Sequence, residues 1–144
     1  MVISKMGSIM NFLNSNTNFY SFLQMVKLSG VIDKLYSRGP YTVFVPNNDA
    51  FGQIPSQELT RIINDEDDLK STIMCHIVKG KYDTKELKSF SSLKALNGLE
   101  LDITLSTDLY INDSRIVNSD IYLSNGVIHI IDQVIRPPDL VAPI

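Results

Sequence analysis

One short stretch near the end of the chain, residues 124–132 with the sequence SNGVIHIID, constrains the fold more than any other. Successive side chains of an extended strand point to opposite faces, and here both faces carry aliphatic residues, interrupted by His129. A strand that is apolar on both faces is typical of a sheet covered on both sides. The stretch therefore predicts a central strand, and the earlier chain must supply its neighbours.

The dipeptide Asn125-Gly126 precedes this strand and is a strong indicator of a two-residue hairpin turn, because both residues tolerate positive φ. The preceding segment, residues 121–123, would then return as an antiparallel neighbour. With Asn125 and Gly126 as the turn residues, Tyr122 lies opposite His129. We therefore expect His129 to be a buried histidine bonded to the backbone or to such a neighbour.

The chain of 144 residues has the length of a single domain, which we place at residues 1–138, followed by a tail of residues 139–144. Its net charge of -3 gives no basic footprint for nucleic acid. No apolar run approaches the ~18 residues of a membrane span. Polar residues interrupt residues 5–13, which do not resemble a secretory signal peptide. The sequence thus leaves extracellular and cytoplasmic locations both open.

Helical patterns dominate the first half of the chain, and strand patterns dominate the second. The predicted helices comprise residues 17–29, 31–37, 56–64 and 69–75. An early strand is predicted at residues 41–45, and the later ones at residues 93–96, 99–105, 109–111, 115–117 and 121–123. Because the elements do not alternate as βαβ units, this order predicts an α+β fold. The early strand must join the late sheet, which links the two ends of the chain.

Two segments together resemble the two signatures of the fasciclin domain family. Residues 41–51, YTVFVPNNDAF, are similar to the first signature, and residues 125–132, NGVIHIID, are similar to the second. Between them, residues 69–80 resemble the family's helix that ends in a histidine, and residues 96–98 resemble its central hairpin. The resemblance extends over residues 7–138. It implies a fasciclin-type β-wedge of two small antiparallel sheets with helices packed along the edge.

The resemblance also implies structural roles for the signature residues. These residues are Thr42, Phe44, Pro46, Asn48, Asp49, Phe51, His76, Asn125, Gly126, His129 and Asp132. In animal members an Asp-Ile pair before the second signature is linked to integrin binding, and Asp120-Ile121 matches it as the candidate partner-binding pair. A Tyr-His pair is also linked to adhesion, but Cys75-His76 stands at its position and lacks the tyrosine.

For function, the resemblance implies a non-catalytic module that mediates cell adhesion or extracellular-matrix contact. The implied partner is a cell-surface or matrix protein or glycan, and the implied location is extracellular or at the cell surface. No cofactor and no metal are implied. A second hypothesis is a small-ligand or carbohydrate-binding domain with a groove between helices and sheet. An enzyme ranks last, because no acid–base pair is placed for catalysis.

The reactive residue types do not form a catalytic or metal-binding pattern. His129 and Asp132 are three residues apart on one strand and therefore point to opposite faces, which argues against a His-Asp dyad. Adjacent Cys75 and His76 do not face each other, and one cysteine with two histidines lacks the spacing of a zinc site. Residues 47–49, Asn-Asn-Asp, could hold a small ligand or cation, but their place after a strand-ending proline favours capping of the next helix.

Overall fold

The structure, a computed structural model, describes residues 7–137, so residues 1–6 and the predicted tail 139–144 lie outside the described residues. Within that range the helices are α1 Ile9–Ser15, a 3-10 turn Thr17–Phe19, α2 Tyr20–Ser29, α3 Ile32–Tyr36, α4 Asn48–Gly52, α5 Ser56–Asn64, α6 Glu66–Met74 and α7 Thr84–Leu87. The strands are β1 Tyr41–Pro46, β2 Ile77–Lys79, β3 Ser92–Lys94, β4 Glu100–Leu105, β5 Leu109–Ile111, β6 Ser114–Leu123 and β7 Gly126–Ile131.

These strands pair in the order β2-β1-β7-β6-β5-β4-β3. β1 runs parallel to β7, from Tyr41 opposite Gly126 to Pro46 opposite Ile131, and the other pairings are antiparallel. The α+β class and the junction of the early strand with the late sheet are confirmed. The expected antiparallel pairing does not extend to β1 and β7, because no hairpin joins them and a long connection allows strands to run parallel.

The long strand β6 divides this ladder into two parts. Its first two residues pair with β5, whereas residues 116–123 pair with β7. Two register shifts interrupt the second pairing, one on each side of Asn118. A β-bulge bends its strand and increases the local twist. The bulges therefore turn the two parts of the ladder relative to each other, as a two-part wedge requires.

Two apolar clusters cover opposite faces of β1 and β7. Val43 and Val45 pack with the helices on one face, whereas Phe44 between them packs against strand residues on the other. In the same way Ile128 belongs to the helical cluster and Ile131 to the strand cluster. All six residues of β7 are buried. The prediction of a central strand covered on both faces is confirmed.

The turn before β7 differs from the prediction. Leu123 pairs with Gly126, so Ser124 and Asn125 are the two turn residues, one position earlier than predicted. Neither Asn125 nor Gly126 has a positive φ. The Asn-Gly dipeptide correctly indicates a hairpin here, but the hairpin does not use the ability of these residues to adopt a positive φ.

Asn125 serves instead as a buried hydrogen-bonding hub. Its Oδ1 accepts from the backbone N–H of Ile9 at 2.9 Å, and its Nδ2 donates to the carbonyl oxygens of Leu35 and Ser37, both at 2.9 Å. These partners lie at the start of α1 and at the end of α3. One side chain thus fixes the hairpin to two helices and satisfies backbone groups that helix ends leave unpaired.

Helix α1 is absent from the sequence-based prediction, which considers residues 5–13 only as a candidate leader. A capping box begins the helix: Ser8 Oγ accepts from the N–H of Asn11 at 3.1 Å, and Asn11 Oδ1 accepts from the N–H of Ser8 at 3.0 Å. The apolar face of α1 is buried in the helical cluster through Ile9, Met10 and Leu13. The segment is therefore part of the packed domain.

Replacing Gly126 with alanine is expected to lower the free energy of unfolding by about 3 kcal/mol. A Cβ at this position would lie 1.9 Å from the carbonyl oxygen of Tyr41, the residue opposite it in β1. Urea unfolding measures the loss. Gly52→Ala is the matched control, because outside its chain neighbours and the backbone of its own helix no atom lies within 4 Å of the added Cβ. Equal urea midpoints for the two variants would contradict the close-approach explanation.

Candidate functional site

Three polar side chains from three different strands converge on one short segment, residues 80–84, which runs from the end of β2 to the first residue of α7. We call it the clamped segment. The three are Thr42 of β1, Asp120 of β6 and His129 of β7. Thr42 Oγ1 donates to the carbonyl oxygen of Gly80 at 2.8 Å and accepts from the backbone N–H of Tyr82 at 2.9 Å. All three residues are among the candidates named from the sequence, but nothing in the sequence indicates that they hold a common segment.

His129 is fully buried in the middle of β7. Its Nε2 donates to the carbonyl oxygen of Tyr82 at 2.8 Å, and its Nδ1 accepts from the backbone N–H of Asp120 at 3.2 Å. A carbonyl oxygen can only accept and an amide N–H can only donate, so these partners require neutral imidazole with its proton on Nε2. Burial lowers the pKa of His129, which favours the same neutral form.

Asp120 lies at the second bulge of β6 with a left-handed backbone, φ 59°. Aspartate is one of the few side chains that tolerate this conformation. Its two carboxylate oxygens accept from the backbone N–H and the hydroxyl of Thr84 at 2.8 and 2.6 Å. The neighbouring Ile121 is partly buried against the helical cluster. Both members of the Asp120-Ile121 pair are therefore engaged with the fold itself.

The predicted neighbour of His129, Tyr122, lies opposite Val127 instead, because the hairpin turn is one residue earlier than predicted. The Tyr122 hydroxyl donates to Asp83 Oδ2 at 3.1 Å, and Lys81 Nζ lies 5.5 Å from the ring centroid. Tyr122 thus packs against the outer side of the clamped segment.

His76 joins the end of α6 to the chain after β7. Its Nδ1 donates to the carbonyl oxygen of Thr72 at 2.7 Å, and its Nε2 accepts from the backbone N–H of Ile135 at 2.9 Å. Burial lowers the pKa of His76 to about 4. The adjacent Cys75 is also buried, which raises its pKa to about 12, so the group is a thiol and not a reactive thiolate.

The first signature builds the junction between β1 and α4. Phe44 and Pro46 are buried in β1, and Phe51 is buried in α4. Asn47 Oδ1 accepts from the backbone N–H of Ala50 at 2.9 Å and thereby caps α4.

Two further signature residues lie at the start of α4. Asn48 Oδ1 accepts from the N–H of Ser21 at 3.0 Å, and its Nδ2 donates to the carbonyl oxygen of Thr17 at 2.8 Å. Asn48 therefore ties α4 to the beginning of α2 and to the 3-10 turn. Asp49, next to it, is exposed.

Asp132 follows β7 and bonds to Arg115 on the neighbouring strand. Its Oδ1 accepts from the backbone N–H of Arg115 at 2.9 Å, and its Oδ2 lies 3.6 Å from Nε of the same residue. His129 meanwhile has both ring nitrogens bonded to backbone groups elsewhere. The structure does not bring His129 and Asp132 together as a dyad.

A concave surface of about 590 Å³ opens beside the clamped segment, at the end of the sheet where the hairpin turns. Tyr36, Arg38 and Lys81 line it, and Tyr122 adjoins it through Lys81. Tyr36 is 63% exposed and Tyr122 is 46% exposed. We call these four residues the hairpin surface. It brings two aromatic rings and two cations to one side of the molecule.

The interior of the described part of the chain contains neither unpaired polar side-chain atoms nor a cluster of metal ligands. Every buried side-chain nitrogen or oxygen within residues 7–137 has a hydrogen-bond partner. Over the same range, no group of three or more His, Cys, Asp or Glu is placed to hold a metal ion. None of the helices between residues 7 and 137 is long and apolar enough to cross a membrane.

The family model described as Fasciclin domain matches residues 17–137. The chain belongs to the fasciclin domain family. A relative in Synechocystis sp., protein sll1483, is 32% identical over 126 residues, which are 85% of this chain and 69% of the relative. The cell surface glycolipoprotein MPB83 of Mycobacterium bovis is 28% identical over 101 residues, 69% of this chain and 45% of that protein.

Among solved structures, the FAS1 domain pair of the insect cell adhesion molecule Fasciclin I superposes with a TM-score of 0.77 at 21% identity. The match covers 94% of this chain and 53% of that chain. This likeness confirms the fasciclin fold. The chain spans about half of the domain pair and less than half of MPB83.

Acidification is expected to destabilise the domain through His76 and His129, the two histidines of the sequence. Burial lowers both pKa values from the ordinary 6.5, that of His76 to about 4. The unfolded chain therefore binds more protons than the native one once the pH falls below about 6.5, and the free energy of unfolding decreases as the pH falls. For His76 alone the loss is about 2 kcal/mol between pH 7 and pH 5, measured by urea unfolding at the two pH values.

The control variant for this titration is His76→Gln, which removes the ionisable group. It is expected to be less stable than the unsubstituted domain at pH 7, because the bonds to Thr72 and Ile135 are altered. Its free energy of unfolding should fall less between pH 7 and pH 5 than that of the unsubstituted domain, by the contribution of about 2 kcal/mol assigned to His76. A decline as steep as that of the unsubstituted domain would assign the acid sensitivity to other groups.

Proposed function

We propose that this fasciclin domain is a non-catalytic adhesion module that contacts its partner through the hairpin surface. The observation that carries the proposal is the exposure of Tyr36 and Tyr122 beside Arg38 and Lys81. Tyrosine and arginine are enriched in the energetically important centres of protein interfaces. In a chain of net charge -3, two cations on one surface favour a partner with an acidic patch.

The clamped segment supports this proposal because it holds part of the hairpin surface rigidly. Lys81 lies between Gly80 and Tyr82, whose backbone groups bond to Thr42. Tyr122 is held by Asp83 in the same segment. A surface that is ordered before binding loses less conformational entropy when the partner docks.

The engagement of both histidines supports a non-catalytic role. Each ring has one nitrogen donating to a carbonyl oxygen and the other accepting from a backbone N–H. A general base needs a nitrogen within reach of a substrate proton. Cys75 is buried as a thiol and does not supply a nucleophile.

We keep Asp120-Ile121 in the proposal as a pair that contributes to partner binding by positioning. Asp120 holds Thr84 at the end of the clamped segment, and its backbone N–H bonds to His129. Ile121 packs against the helical cluster directly before Tyr122. The pair therefore helps to fix the positions of Tyr122 and Lys81 in the hairpin surface.

The proposed partner is a cell-surface or matrix protein, and the proposed location is extracellular or at the cell surface. The names of two relatives support this reading, one a cell adhesion molecule and the other a cell surface glycolipoprotein. A single small concave contact gives modest affinity, so we propose that adhesion gains strength through several copies acting together.

Replacing Asp120 with alanine is expected to lower the free energy of unfolding by about 2 kcal/mol, because two hydrogen bonds to Thr84 are lost and alanine disfavours the left-handed backbone. Asp120→Asn keeps an acceptor and tolerates this backbone, so it should lose less than about 1 kcal/mol. Urea unfolding measures both. Loss of adhesion in a fully stable Asp120→Asn variant would indicate direct contact by the carboxylate and reject the positioning role.

The test of the proposed function is adhesion of domain-coated beads to cells of the organism that produces the protein. Tyr36→Ala and Arg38→Ala are each expected to reduce bead retention at least about tenfold, the effect of removing one interface hot spot. Neither side chain contributes to the buried core, so the urea midpoints should stay unchanged.

The matched control for these variants is Tyr20→Ala, which removes a tyrosine that is 59% exposed but lies outside the hairpin surface. Its beads should be retained as well as those of the unsubstituted domain. Equal retention of all variants would show that adhesion does not use the hairpin surface. Absence of retention for the unsubstituted domain would reject the adhesive function.

A further inference from the structure

A second concave site lies between the helical layer and the sheet and shares no lining residue with the hairpin surface. Its volume is about 430 Å³, inside the range of about 300–1,000 Å³ typical of small-ligand sites. We call it the interlayer groove. The lining residues that matter here are Asn18, Phe19, Asp49, Val117, Asn118 and Ile130.

The bulges of β6 create one wall of this groove. In a regular strand neighbouring side chains point to opposite faces, so one of two successive residues would turn inward. Val117 and Asn118 are nevertheless both exposed, and register shifts flank Asn118 on both sides. Bulges are common next to functional sites because they redirect a side chain in this way.

Three polar side chains of the groove make no hydrogen bond or ion pair with other residues in the described part of the chain. Within residues 7–137, no hydrogen bond or ion pair engages the side chains of Asn18, Asp49 or Asn118. Asn48, which also lines the groove, is by contrast bonded to the backbone of Ser21 and Thr17. The base of the groove is therefore fixed, while its rim keeps hydrogen-bonding groups available.

We infer that the interlayer groove binds an uncharged sugar unit of a glycan. Sugar hydroxyls both donate and accept, and they find matching amides in Asn18 and Asn118 and acceptor oxygens in Asp49. Val117, which is 41% exposed, supplies an apolar surface for the C–H face of the ring. Small-ligand sites generally combine apolar walls with a few placed polar groups in this manner.

The charges of the groove distinguish this ligand class from two others. The residues that line it include no Lys, Arg or His, and the one charged group is the carboxylate of Asp49. Phosphate, sulfate and uronic acid groups would meet like charge there. One carboxylate is also too little for a calcium site, which usually draws on several acidic oxygens.

An NMR titration of the 144-residue protein tests the inference. The probes are methyl glycosides of glucose, galactose, mannose and N-acetylglucosamine, with glucuronic acid and glucose 6-sulfate as charged counterparts. We expect saturable shifts of the backbone amides at Asn18, Asp49 and Asn118 with at least one neutral sugar. Asn118→Ala should weaken that affinity about two- to tenfold, the effect of one lost hydrogen bond.

The matched control is Asn64→Ala, the same substitution at an exposed asparagine at the end of α5, and it should leave the affinity unchanged. No saturable shift with any neutral sugar overturns the inference. Unchanged sugar affinity in a folded Asp49→Ala/Asn118→Ala double variant would also overturn it. Tighter binding of the charged counterparts than of the neutral sugars would do the same. Because the hairpin surface is intact in these variants, their bead adhesion reports separately on the proposed function.

Discussion

The parallel pairing of β1 with β7 is the constraint on which the rest of the structure depends. The two strands come from opposite ends of the chain, and closing so long a connection costs more chain entropy than closing a hairpin. Burial of both faces offsets this cost, since alternate residues of each strand enter the two apolar clusters. Gly126 permits the contact, because any side chain there would meet the carbonyl oxygen of Tyr41.

The polar residues of the two signatures depend on that pairing in turn. The clamped segment is held by one residue from each of β1, β6 and β7, so its geometry exists only after these strands are aligned. His76 likewise bonds a helix end to Ile135, which follows β7. These side chains hold backbone in place and are therefore occupied. The proposed partner contact therefore uses residues outside the two signatures, namely Tyr36, Arg38, Lys81 and Tyr122.

The sequence predicts those features that local chemistry encodes and misses those that tertiary contacts decide. A strand that is apolar on both faces can only be central, so β7 is predictable. The bulges in β6 are not, because nothing in SRIVNSDIYL marks which residue is unpaired. The one-residue difference in the hairpin turn is equally unmarked, and it is the reason why Tyr122 lies opposite Val127 and not opposite His129. Helix α1 has seven residues, too few for a clear periodic pattern. Asn18 and Asn118 meet in one groove from distant parts of the chain, without any motif.

The two candidate binding surfaces lie toward opposite ends of one strand. Gly126 borders the concavity of the hairpin surface and Ile130 borders the interlayer groove, four positions along β7, or about 13 Å at the rise of an extended chain. Both positions are paired with β1 in one continuous ladder, which holds the distance between the two surfaces fixed. The sites should therefore act independently. A glycosylated partner that reaches both would gain affinity through linkage, with no conformational change in the domain.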